Sequence, residues 1–212
     1  MPIQFITPSI ISSVANTQVT GTITASQIAT VNANTITSGS IPLAQVPQLT
    51  GVKLPTGSVL QVVSNTKTDT FTTSSTTDVA ITGLFATITP TSASSKILVL
   101  VNIGASGTST DDYTVYFSLY RSASVITGAV GDAAGSRRVC SSASRIGSSV
   151  RYNSVSIMHQ DSPASTSSLT YACYVAMESG GSSACINRSG DDSNIASRPR
   201  TISSITVMEI AG

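Results

Sequence analysis

Apolar residues change their spacing at about residue 55. Downstream they gather into short runs, of which Lys96-Ile-Leu-Val-Leu-Val-Asn-Ile103 is the central one. A run so short and so rich in branched residues, ringed by Thr, Ser and Gly, predicts a strand with both faces covered rather than a helix. After it, Tyr113, Val115, Phe117 and Leu119 alternate with Thr114, Tyr116, Ser118 and Tyr120. That period places one face in a core, and leaves the face with two tyrosines as a second buried face or a contact surface. Further strands are predicted at 59–63, near Phe71, and at 78–81, 86–90, 152–159, 169–177, 184–187 and 202–210. Residues 122–149 are rich in Gly, Ala, Ser and Arg, with strand potential only near Val125 and Val139. A loop of that length is usually functional or held by a partner. Short strands, turn signals between them and no convincing helix predict an all-β fold, a β-sandwich or jelly roll over residues 56–212.

Residues 1–55 are built differently, with almost no charge, no aromatic beyond Phe5, and many Thr, Ser, Ile and Val. Thr22-Ile-Thr-Ala-Ser-Gln-Ile28 and Thr35-Ile-Thr-Ser-Gly-Ser-Ile41 share the pattern T-I-T-x-x-x-I, a hint of a fibrous repeat. Isolated Ile and Val residues in a single chain do not offset the entropy of ordering it, so burial has to come from copies of the same segment. Ile23, Ile28, Ile36 and Ile41 are therefore expected to face other chains around a shared axis, as an extended fibrous stalk. The alternative is a flexible linker, which Gly39 and Ser40 suit, and Pro42, Pro47 and Pro55 mark a neck that a central strand does not tolerate.

Charge changes the picture by exclusion. The 212 residues carry 11 Lys and Arg against 10 Asp and Glu, which gives no electrostatic footprint for nucleic acid. The N-terminus lacks the basic and apolar regions of a secretion signal, and no apolar run reaches membrane-spanning length. The expectation is a protein made in the cytoplasm without membrane insertion. Cys140, Cys173 and Cys185 fit no zinc or redox spacing. Cys173 is in phase with Tyr171 and Val175, the pattern of a small buried thiol, with a Cys173–Cys185 bridge as the alternative.

Candidate chemistry is sparse. No nucleophile elbow, phosphate-binding loop or H-E-x-x-H motif is present, and neither cofactor nor metal is expected. His159, the sole histidine, is in phase with Val155 and Ile157 beside Asp161. A packed or surface histidine is favoured over a His–Asp catalytic contact, or over a metal held by symmetry copies at an axis. Asp111-Asp112 and Asp191-Asp192 could serve glycoside hydrolysis or calcium, but adjacent aspartates on turns more often cap them, and Arg188 and Arg198 flank the second pair. All lysines precede residue 97 and all arginines lie from Arg121 onward. Arginine's planar fork suits contacts between subunits, and also recognition of anionic glycans. Arg137, Arg138 and Arg145 are the candidate receptor-binding residues.

Gly57-Ser-Val-Leu-Gln-Val-Val-Ser64, Ile88-Thr-Pro-Thr-Ser-Ala-Ser-Ser-Lys-Ile-Leu-Val99, Gly131-Asp-Ala-Ala-Gly-Ser-Arg137, Asn187-Arg-Ser-Gly-Asp-Asp192 and Pro199-Arg-Thr-Ile-Ser-Ser-Ile-Thr-Val-Met-Glu-Ile210 occur in that order. Together they resemble the C-terminal head of tail-fibre and other virion structural proteins of marine and cyanobacterial phages. The resemblance implies a homotrimeric, non-enzymatic tail fibre whose head meets a glycan or protein of the host surface. Residues 1–55 fall outside it and are the expected attachment end, toward other virion proteins. A capsid-decorating fibre is an alternative in the same class. A polysaccharide-degrading tailspike is the alternative from another, disfavoured because it normally needs a long repetitive β-helix.

Overall fold

Strand β4, Lys96–Thr108, runs through the middle of one sheet with partners along both edges. The computed structural model describes residues 54–212, so Ile23, Ile28, Ile36, Ile41 and the stalk expectation lie outside the described residues. The other strands are β1 (Val59–Lys67), β2 (Phe71–Thr73), β3 (Val79–Ile88), β5 (Tyr113–Arg121), β6 (Ser124–Val125), β7 (Ser142–Ile146), β8 (Asn153–Asp161), β9 (Leu169–Met177), β10 (Ala184–Ile186) and β11 (Ser203–Ile210). A 3-10 turn at Thr127–Ala129 is the one helical element among the described residues. The fold is all-β, as the periodicity predicts.

Every strand pair is antiparallel. Sheet A runs β1-β11-β4 and continues through β10 to β2 at the far end of β4, with β8 along its other edge. Sheet B runs β3-β9-β5, with β6 and β7 sharing the free edge of β5. Both sheets contribute to one core, in which Ile97, Val99, Val101 and Ile103 of β4 meet Val115, Phe117 and Leu119 of β5. The alternation of side chains along β4 and β5 is what makes those residues point one way.

Three expectations need correction. The run at Lys96–Ile103 is covered on one face only: Val99 is fully buried, whereas Leu98 and Leu100 are half-buried on the outer side of sheet A. The segments 78–81 and 86–90 merge into the single strand β3, which absorbs a register irregularity between Ala80 and Phe85 where Gly83 takes a positive φ. Near Val139 no strand forms. The chain there is exposed, and pairing with β5 begins at Ser142, behind an anchor in which the Ser141 amide donates to the Phe117 carbonyl at 2.8 Å. Of the cysteines, all three are free thiols, and Cys173 and Cys185 sit in different sheets.

Glu209 is the one fully buried carboxylate of the core. It faces inward from β11 and accepts from Gln61 Nε2 at 2.6 Å, Thr91 N at 2.7 Å, Thr91 Oγ1 at 2.8 Å and Ser95 Oγ at 2.7 Å. Burial pushes its pKa up, but these donors outweigh burial and hold it below the ordinary glutamate value. The cluster ties the turn before β4 to β1 and β11.

Candidate binding surfaces

Among the described residues, two outer faces and the surroundings of Asp161 bear on binding. On sheet B, outward positions of β5 and β9 alternate with the core residues, which brings Tyr116, Tyr120 and Tyr174 to one surface. Tyr120 and Tyr174 stack with ring centroids 3.7 Å apart at 16°. Phe85, 48% exposed, lies in the same cross-strand row as Ala172 and Tyr120.

Arg138 covers this surface from the 122–149 loop. Its guanidinium lies 5.2 Å from the Tyr116 ring centroid, donates to the Thr76 carbonyl at 2.7 Å and pairs with Asp78. Tyr120 Oη donates to the other Asp78 oxygen at 2.9 Å, and burial, with the bond to Asp78 second, pushes the Tyr120 pKa up to about 12. Arg145 projects from β7 beside Thr114, with Nε 3.0 Å from Asp112 and Nη1 3.2 Å from Glu178. Arg137 is exposed and donates only to the Ala134 carbonyl at 3.3 Å. Arg138 and Arg145 are thus committed to carboxylates of their own chain, while Arg137 has no carboxylate partner among the described residues. The alternating tyrosines foreshadow this face in the sequence. Their joining to Asp78 depends on pairing across β3, β9 and β5, which no local pattern encodes.

The outer face of sheet A has a different character. Register places Val62, Met208, Leu98 and Gln160 in one row, Ser64, Thr206, Leu100 and Met158 in the next, and Thr66, Ser204, Asn102 and Ser156 in a third. None of these is charged. Met158 is 73% exposed and Val62 54%, and a groove of about 380 Å³ runs between Leu100, Met158 and Thr206.

His159 and Asp161 do not form the His–Asp contact that their spacing allows. Asp161, 6% exposed, instead accepts from Arg121 Nη1 at 2.5 Å and from Tyr171 Oη at 2.7 Å, so its carboxylate joins β8 of sheet A to β5 and β9 of sheet B. This hydrogen bond is the main cause of the raised Arg121 pKa, and burial pushes the Tyr171 hydroxyl up as well. The two aspartate pairs hold loops. Asp191 binds Arg198 Nε at 3.0 Å, Asp192 pairs with Arg188 at 3.7 Å and with Arg200, and Asp111 accepts from the Ser149 amide at 2.6 Å. Among the described residues no group of three or more His, Cys, Asp and Glu is placed to hold a metal ion. Compared with known proteins, the chain matches no family model and no curated sequence.

Proposed function

We propose that residues 56–212 form the head of a homotrimeric phage tail fibre that acts by binding the host surface, with residues 1–55 as its stalk and attachment end. The observation that carries this reading is the set of three uncharged, partly apolar rows on the outer face of sheet A, bounded at one end by Lys96 of β4. It spans on the order of 400 Å² at ordinary strand spacings, within the range of functional surface patches on single chains. A standard interface covers about 800 Å² per partner, so this face supplies part of a trimer contact. Packing of Ile23, Ile28, Ile36 and Ile41 against their copies supplies more. No ionisable side chain precedes Lys53, which leaves that segment nothing but apolar and hydroxyl contacts to build with.

Further support comes from where the resembling phrases fall. Gly57 to Ser64 leads through β1, Ile88 to Val99 enters β4, and Pro199 to Ile210 contains β11. Those strands are neighbours in sheet A, so three of the five phrases meet in one structural unit, while Gly131 to Arg137 and Asn187 to Asp192 lie in loops. The tyrosine face with Arg137, Arg138 and Arg145 is the surface offered to the host. Native mass measurement of the full chain tests the assembly, with a trimer expected and a folded monomer at micromolar concentration refuting it. Adsorption of particles lacking the protein tests the role.

A further inference from the structure

We propose that the pocket between the end of β8 and the 3-10 turn holds one neutral sugar unit, an inference that rests on the reading as a host-binding head and gives it a ligand class. The pocket measures about 370 Å³. That is the low end of ligand sites and suits a single ring rather than an oligosaccharide.

Its polar side is fixed in advance. Asp161 uses Oδ2 for both Arg121 and Tyr171, so Arg121 is held in one orientation by a carboxylate that a buried tyrosine also anchors. Asp161 Oδ1 and the Nε and Nη2 groups of Arg121 make no hydrogen bond among the described residues, and both side chains line the pocket. An acceptor and a donor side by side match two neighbouring hydroxyls, one donating to the carboxylate and one accepting from the guanidinium. Thr127, His159 and Ser162 add further polar groups at the wall.

Charge and shape select against other ligands. Arg121 and Asp161 neutralise each other, so neither a phosphate nor a cation finds a net field. Val125, 41% exposed, offers an apolar wall for C–H groups, and the lining contains no Phe, Tyr or Trp ring, with the small imidazole of His159 as its one aromatic group. A puckered ring with hydroxyls on one side and C–H groups on the other satisfies both walls.

The chain itself carries the reporter. His159 is the sole histidine, so its imidazole proton resonances read this pocket and no other site. The full chain is titrated separately with D-glucose, D-galactose, D-mannose and D-glucuronate, up to about 100 mM, where a millimolar site saturates. A saturable shift with at least one neutral hexose is expected, with binding at least about tenfold weaker in Thr127→Ile. Thr127 is exposed, and Ser162→Leu at a second exposed wall position repeats the test if the first variant melts early. Resonances unmoved by every neutral hexose, moved by glucuronate alone, or moved equally in both variants overturn the proposal. A hexose shift in a protein whose Thr127→Ile particles adsorb normally leaves the sugar site standing and removes its role in attachment.

Discussion

Leu98 and Val99 are consecutive residues on β4 that lie on opposite sides of sheet A, Val99 sealed in the core and Leu98 half-exposed beside Met208. Charge introduced at the two positions therefore has separable effects. Val99→Asp buries an unpaired carboxylate and should cost several kcal/mol, enough to remove soluble protein. Leu98→Asp keeps its charge in water, so the chain should fold with a loss of about 1–2 kcal/mol and show weakened self-association in sedimentation. Equal loss of soluble protein in both variants would place the outer face inside a core that the single chain does not show.

Glu209 makes stability depend on acid in a defined direction. Its pKa is lower in the folded chain than the ordinary glutamate value, so its contribution is fully present above that value, near 4.3, and is lost as pH falls through the lower, folded pKa. Glu209→Gln should destabilise by about 1–3 kcal/mol at neutral pH, because Thr91 and Ser95 lose a charged acceptor. Its acid unfolding curve should also be shallower than that of the parent chain. Denaturant titrations at a series of pH values measure both effects.

The three thiols should react in a fixed order. Cys173 is fully buried, and burial pushes its pKa up to about 12; burial raises Cys185 too. Burial raises Cys140 as well, but it is only half-buried, so access sets it apart. Iodoacetamide at pH 8 should label Cys140 first in the native chain, and all three only after unfolding, as peptide mass spectrometry would reveal.

Arg137 and Arg138 are adjacent but differently engaged. Arg138→Ala removes the Asp78 pair and the contact with Tyr116, and should cost about 1 kcal/mol. Arg137→Ala should change stability by less than about 0.5 kcal/mol. If the host receptor is anionic, the salt dependence of adsorption should fall more in Arg137→Ala, whose charge is the one left unpaired. Adsorption measured against ionic strength for both variants decides this.

Local periodicity revealed the strands because a period of two states directly which residues turn inward. It located β5, β9 and β11 and picked out Val115, Phe117 and Leu119 as core. It misread the outer side of β4, since a continuous apolar run has the same pattern whether its second face meets another layer of the same chain or another molecule. Asp161 illustrates a different limit. Beside His159 in sequence, it spends its carboxylate on Arg121 and Tyr171, which arrive from the opposite sheet. The partners of a polar group at the rim of a core are set by how two sheets are stacked, and residue spacing along one strand is silent on that.

Strand β11 lies between β1 and β4, although Val59 and Ile210, the first residues to pair, stand at opposite ends of the described chain. During synthesis, β1 and β4 leave the ribosome long before the strand that separates them exists. Until Ser203 to Ile210 emerges, both carry open edges and unsatisfied apolar faces, the state most exposed to wrong pairing and to chaperone capture. Folding of this head therefore behaves as a late, nearly all-or-none event, slow because its decisive contacts are so distant in sequence. A chain that stops short of Ser203 therefore yields no folded head, however much of the upstream sequence it carries.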